Sequence, residues 1–406
     1  MNSKKLEQSP HWVKVSDIFR TDEDAPFLQR AGIKEFSDPN YSKYSKRLAR
    51  VRSIRKYIYR MDVLERALSY DEVTQIFVRV NSLGTKLRSS DLALAQITAK
   101  WRGALVQFQN FQEECSAKGF NLDMGLHLKN LISFCTGQSR FLTVSSQSSE
   151  KLKAAWSDAI AGMEFAINFL KSNLGIESPA LLASPYLLIM IGFHAHRRNF
   201  EIDSSESKLL RQWALLANAK GRYSRGSSET LLDQDLAVIR GGKGASELIE
   251  RLRSQVGRLE IVPEELEGRN QNSALFKTMF IAFKEKGAKD WSSNLAISLD
   301  HNGSIHKLQF HHIFPKATLK ERFSSRESDD ISNLAFIGGR TNRKISDKLP
   351  KEYLTSLMGT HLEQMQAQCI PKDSHLLELE VYKDFLNARR KAIAERLNEF
   401  LSTDVI

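Results

Sequence analysis

The sequence predicts a mainly α-helical protein: a multi-helical N-terminal and middle region, then a smaller C-terminal unit of strands and helices. Three observations carry this expectation. Apolar residues recur at helical spacing through most of the chain. Proline, which interrupts helices, occurs 9 times in 406 residues. The last third changes character: an Asn302-Gly303 turn signal stands between apolar stretches, and two adjacent histidines, His311 and His312, follow it. The length allows two or three domains, and the 41% hydrophobic content with 22 phenylalanines fits a globular chain.

Residues 1–50 read as polar and irregular. From Tyr57 the pattern turns helical, with Val73, Ile76, Phe77 and Val80 at helical spacing. Asn81, Ser82 and Gly84 then stop that helix, and Ser89 or Ser90 caps the next, with Asp91 in its first turn. Residues 120–260 read as almost wholly helical, and Trp156, Ile160, Met163, Ile167 and Leu170 form one core stripe. The longest apolar run, Ala180 to Phe193, contains Ser184 and Pro185 and is too short to cross a bilayer, so a buried helix is expected. "KGRYSRGSSETLLDQDL" (220–236) reads as a solvated connection, although its Arg222, Tyr223 and Arg225 could contact phosphate.

A polar stretch at 262–273 places a boundary near 275, giving segments 1–115, 116–275 and 276–406. In the last segment the Asn302-Gly303 signal predicts a hairpin leading into "LQFHHIF". "RTNRKISDKL" suits one short helix stopped by Pro350, which in turn opens the next. The chain closes on a long helix whose Leu386, Ile393, Leu397 and Phe400 share a face.

Charge narrows the function. The net charge of +11 favours polyanionic partners, nucleic acid before acidic membrane surfaces. Cys115, Cys135 and Cys369 lie far apart with no C-x-x-C spacing, so neither a disulfide scaffold nor a cysteine zinc site is expected, and a reducing cytoplasm fits. The start, "MNSKKLEQSPHW", has no apolar core behind its lysines and does not read as a signal peptide; no membrane partner is expected.

A hairpin bearing His-His, followed by a short helix bearing Asn, is the layout of a ββα-metal (HNH) nuclease. Phosphodiester hydrolysis needs a water made nucleophilic and a cation to offset charge on the phosphate and leaving oxygen. Neighbouring side chains diverge at a strand end, so His311 and His312 can address two points, one binding metal and the other taking a proton. An asparagine oxygen is a hard, neutral ligand for a cation that keeps exchangeable waters.

Region 295–405 resembles the C-terminal HNH domain of the GmrSD family of modification-dependent (type IV) restriction endonucleases. The matching stretches are "HHIFPK", "NLAFIGGRTNRKISDKLPKEYL" and "FLNARRKAIAERLNEFL". "IFVRVNSLGTKL" and "GRYSRGSSETLLDQDL" resemble that family's second-half helical region, so 1–115 would correspond to a remnant of its N-terminal domain. The resemblance implies a divalent-metal-dependent DNA endonuclease acting against foreign or modified phage DNA. His312 would be the general base, His311 and Asn342 the metal ligands, and Asn333 the tie of the loop between strand and helix. Arg343, Lys344 and Lys348 would meet phosphate. Asp347 or water would fill a third metal position, because Ser346 stands where some HNH sites carry histidine. His301 and His306 read as hairpin-surface residues. Magnesium is the expected ion, with manganese or nickel able to replace it.

The family usually carries an Asp-Gly-Gln-Gln-Arg motif, linked to nucleotide binding and hydrolysis, upstream of the "IFVRVNS" region. No such run occurs here; Gly137-Gln138 in "CTGQSR" stands in another context. The expectation is a truncated or split member, nucleotide-independent alone, that self-associates or takes its sensing half from a partner protein. The competing class is a catalytically impaired DNA-binding or regulatory subunit.

Overall fold

The computed structural model describes residues 9–59, 88–299 and 307–402, with scattered positions between 61 and 80. The protein is mainly helical, and the chain divides into two compact units, Met1–Ser69 and Tyr70–Ile406. The boundaries at 115 and 275 remain a reading of composition.

The first unit is not irregular. It holds α1 (Val15–Arg20), α2 (Ala25–Arg30) and α3 (Tyr41–Ser53). Two of these span six residues each, too short to show a period. In α3 the inner face is carried by Tyr41, Tyr44, Leu48 and Val51, of which Leu48 alone is fully buried.

In the second unit Val73, Ile76 and Val80 are helical, while Phe77, Asn81, Ser82 and Gly84 lie outside the described residues. There follow α4 (Ser89–Lys100), α5 (Ala104–Ala117), α6 (Met124–Thr136), α7 (Ser149–Leu174) and α8 (Tyr186–His196). Next come α9 (Ser204–Lys220), α10 (Ser228–Arg240), α11 (Ala245–Val256) and α12 (Ala274–Glu285). The cap of α4 is Arg88, one residue earlier than expected: Asp91 accepts the Arg88 backbone N–H at 3.0 Å, so Ser89 and Ser90 fall inside the first turn.

The core behaves as the apolar pattern requires. In α7, Trp156, Met163, Ile167 and Leu170 are buried and Ile160 is partly buried. Pro185 sets the start of α8, which is buried on nearly every side. Gly162 and Gly192 let α7 and α8 approach closely, since a Cβ on Gly192 would lie 2.4 Å from the Gly162 carbonyl oxygen. Cys115, Cys135 and Cys369 are buried free thiols. Among the described residues no helix is long and apolar enough to cross a membrane.

The C-terminal part departs from the expected hairpin. β1 (Leu308–His312) pairs antiparallel with β2 (Leu334–Gly338), in the register His311↔Ala335 and His312↔Leu334. The Asn302-Gly303 turn, His301 and His306 lie outside the described residues, and Ala296 before them bridges Lys289 instead of a strand. A loop with two single α-helical turns and a 3-10 turn (Ile331–Asn333) joins the strands, and α13 (Gly339–Ile345), α14 (Pro350–Ala367) and α15 (Tyr382–Leu401) follow. Ser346, at φ +56°, ends α13 four residues before Pro350, which opens α14 as its first residue. In α15, Leu386, Ile393, Leu397 and Phe400 are all buried.

The small sheet is covered on both sides. Leu334 and Phe336 face the large helical core, where the Phe336 ring lies 5.1 Å from both Phe276 and Phe280 of α12. Ala335 and Ile337 face a second core with Trp291, Ile313, Phe314, Tyr353 and Phe385. Alternation along the strands thus sends adjacent side chains into different surroundings.

Candidate functional site

His311 and His312 end β1 and point to opposite faces of the sheet. His311 is 4% exposed, on the side of Trp291 and Tyr353. Its Nδ1 lies 2.9 Å from Asn342 Oδ1, and its Nε2 lies 3.1 Å from the Tyr353 hydroxyl. The Tyr353 hydroxyl donates its one proton to the Ile313 carbonyl at 2.9 Å, and burial raises its pKa so that it keeps that proton. It can therefore only accept from His311, which puts the imidazole proton on Nε2.

Burial also pushes the His311 pKa down to about 4, although a protonated ring would donate to Asn342, which opposes the fall. The ring is neutral at pH 7, and its Nδ1 lone pair faces Asn342. An Asn342 amide turned by 180° would donate Nδ2–H to that lone pair, whereas with Oδ1 there, 2.9 Å away, the two atoms can share a cation. The donor set thus fits a divalent metal with these two residues as protein ligands. Among the described residues no group of three His, Cys, Asp or Glu is gathered for a metal.

His312 is set up differently. Its Nε2 lies 3.0 Å from Asp329 Oδ1, and Lys316 Nζ sits 2.8 Å from that same oxygen and 2.9 Å from the other. Burial lowers the His312 pKa, while the bond to Asp329 and that carboxylate's charge oppose the shift. Burial alone would raise Asp329, but hydrogen bonds from Lys316 and His312 outweigh it and leave the carboxyl below its ordinary value. An ionised carboxylate can only accept, so His312 carries its proton on Nε2 and offers Nδ1 as a base. The side chain is about a quarter exposed, which leaves room for water.

Asn333 is fully buried and saturated. Its Oδ1 accepts Phe314 N–H at 2.9 Å, and its Nδ2 donates to the Phe314 and Ser328 carbonyls at 3.0 Å each. It ties both ends of the loop between the strands, leaving α13 to Asp290. The Asp290 carboxylate accepts from Gly338 N–H at 2.6 Å and from the Thr341 hydroxyl at 2.7 Å, joining the end of β2 to the first turn of α13. These contacts fix where Asn342 stands.

Arg343, Lys344 and Lys348 are exposed on and just after α13, opposite the buried Thr341 and Ile345. Ser346 and Asp347 are also exposed. The phosphate contacts considered for Arg222 and Tyr223 do not stand. Arg222 is 2% exposed and forms a two-pronged pair with Asp235 at 2.8 and 3.0 Å, and Tyr223 donates to the same carboxylate at 2.6 Å. Only Arg225 of that trio is exposed.

Sequence reasoning missed Asp329 and Tyr353. They lie 17 and 42 residues from their histidine partners, and no spacing rule joins them. The one usable signal was chemical: a base histidine needs an acceptor on its other nitrogen, and "ESDD" supplies carboxylates in the following loop.

No family model matches the chain. Over 379 residues it is 23% identical to an uncharacterized protein of Methanocaldococcus jannaschii, a match covering 86% of this chain and 61% of that protein. The chain thus spans less than two thirds of the length of that relative.

The Asp329 contact gives a signed expectation. A carboxylate beside imidazole stabilises the protonated ring, so Asp329→Asn should lower the His312 pKa further. If His312 acts as a base, the acid limb of its pH–rate profile should move to lower pH in this variant, with a reduced plateau rate. A limb that stays in place or moves up would show that Asp329 does not act on His312.

Proposed function

We propose that the protein is a divalent-metal-dependent HNH endonuclease that hydrolyses DNA phosphodiester bonds in the restriction of foreign or modified phage DNA. The observation that supports this reading is the pairing of His311 Nδ1 with Asn342 Oδ1 beside a second histidine whose Nε2 is held by Asp329. A cytoplasmic setting and a partner protein supplying a nucleotide-sensing half belong to the same reading.

When bound, a divalent cation would supply Lewis-acid polarisation of the phosphate and a template for the leaving oxygen. Every other task falls to the chain. His311 and Asn342 would hold the ion, and Tyr353 fixes the His311 tautomer that makes this possible. His312 Nδ1 would take the proton from the attacking water, with Asp329 orienting the ring and stabilising the imidazolium that forms. Arg343, Lys344 and Lys348 would meet the phosphates flanking the cut. Asn333 and Asp290 hold the parts in register.

A plasmid-nicking assay with magnesium or manganese tests the proposal. Nicking is expected with either ion, and manganese or nickel should replace magnesium at an imidazole–amide site. His311→Ala and Asn342→Ala should raise the metal concentration needed. Tyr353→Phe, which leaves His311 Nε2 without its acceptor, should weaken metal affinity by about 10–100-fold in calorimetry. Undiminished cleavage in excess chelator would remove the metal from the mechanism. DNA binding without nicking under any divalent ion would favour a catalytically impaired DNA-binding or regulatory subunit.

A further inference from the structure

We infer that the outer face of α3 is a phosphate-contact surface for duplex DNA, carried by Lys43, Lys46, Arg47 and Arg50. This rests on the reading that DNA is the polymer handled, and places a second contact in the N-terminal unit. Residues 41–56, "YSKYSKRLARVRSIRK", contain seven Lys and Arg and no Asp or Glu. The structure sorts six of those seven, and Lys56 ends the exposed turn that follows the helix. Arg52 turns inward, pairing with Asp24 and donating to the Thr21 and Glu23 carbonyls at 2.9 Å. Arg55 donates to the Phe19 carbonyl at 2.8 Å. Both are structural.

The four proposed residues stand at i, i+3, i+4 and i+7 on one helix face, and all are exposed. Among the described residues none of the four has an acidic partner. Arg47 reaches a ring, 5.9 Å from the centre of Tyr44. The unit does not lack acids. Asp17, Asp22, Glu23, Asp24, Glu35 and Asp38 precede α3, and none stands within it. Like charges at i, i+4 oppose each other in an isolated helix, so this segregation disfavours the free state and is relieved by a polyanion. From Lys43 to Arg50 the helix rises about 10 Å, a length over which duplex DNA carries about six phosphate charges.

A membrane surface fits less well. A helix that lies in a bilayer buries its apolar face there, whereas the apolar face of α3 is turned into the unit, with Leu48 buried and Tyr44 and Val51 partly buried. Within the helix the exposed face offers cations and no large apolar side chain; Ile54, Tyr57, Ile58 and Tyr59, exposed beyond its C-terminal end, are the reason the test includes vesicles.

The test uses the full chain and a labelled 30-base-pair duplex of arbitrary sequence, with binding followed by anisotropy across a sodium chloride series. Each phosphate contact contributes about 0.9 to the slope of log K against log salt. The fourfold change Lys43→Gln, Lys46→Gln, Arg47→Gln and Arg50→Gln should lower that slope by about 3 to 4 and weaken binding at least tenfold near 100 mM salt. Lys43→Arg with Lys46→Arg should keep the wild-type slope. If the fourfold variant fails to fold, as circular dichroism would show, Arg47→Gln alone should lower the slope by about 1. A slope unchanged by these substitutions overturns the inference. So does loss of binding confined to anionic vesicles or duplex RNA. Stripe-dependent DNA binding by a chain that never cuts would uphold the surface and fail the nuclease reading; cutting with a slope indifferent to the stripe would do the reverse.

Discussion

His312→Ala should lower cleavage by about 10²–10⁴-fold while leaving metal affinity and DNA binding close to wild type. The expectation follows from the separation of the two histidines. His311 Nδ1 faces Asn342 from within the second core, whereas His312 lies on the opposite face of the sheet and is bonded to Asp329. Removing the His312 ring therefore leaves the His311–Asn342 pair and its Tyr353 support intact. It deletes the ring nitrogen opposite the Asp329 bond, on a side chain about a quarter exposed. Calorimetry with manganese and a nicking time course on the same preparation separate the two effects. Activity within twofold of wild type would end the assignment of His312 as base. Loss of metal affinity together with activity would show that the two histidines share one role.

Asp330→Ala should cost about 3–5 kcal/mol of stability, a large share of the 5–15 kcal/mol that holds a typical protein folded. The Asp330 carboxylate is fully buried and accepts from Gly268 N–H at 2.7 Å, Arg390 Nη2 at 2.7 Å and Ser332 N–H at 2.8 Å. It thus joins a helical-region loop, α15 and the loop that carries Asp329 and Asn333. Removing it strands the Arg390 charge and two backbone donors away from water, and each loss adds to the penalty. The urea midpoint should fall with little change in the denaturant slope. Asp330→Asn, which keeps the shape without the charge, should fall between the two. A loss below about 1 kcal/mol would mean that Arg390 settles on Asn387, which its other nitrogen already reaches at 3.1 Å.

Long amphipathic helices were legible. α7 and α15 repeat their apolar residues over enough turns for the period to stand out, and α8 declares itself as an unbroken apolar run after Pro185. The short helices of the N-terminal unit were not, because six residues cannot display a period and the inner face of α3 uses tyrosines. β2 escaped for a physical reason. Both its faces are covered, so "LAFIG" is apolar without alternation and does not resemble a half-buried strand. The Asn-Gly signal drew attention to a local hairpin, but the partner of β1 lies beyond a long loop, and turn chemistry carries no information about that distance. Of the candidate site, the histidines and asparagines could be read directly. The groups that set their protons, Tyr353 and Asp329, could not, since folding alone brings them near.

The two-sided covering of the sheet limits how this protein can be taken apart. Phe276 and Phe280 of α12 press on Phe336, and Phe276 also meets Phe310 with ring centres 5.0 Å apart. A recombination joint placed after α12 would strip one side of the sheet, and one placed before it would wet the face that α12 turns to α9. The histidine-bearing part is therefore not a portable cassette. Grafts onto another scaffold should carry α12 and a substitute for its neighbour, and lineages that exchanged the two parts would have had to remake that seam.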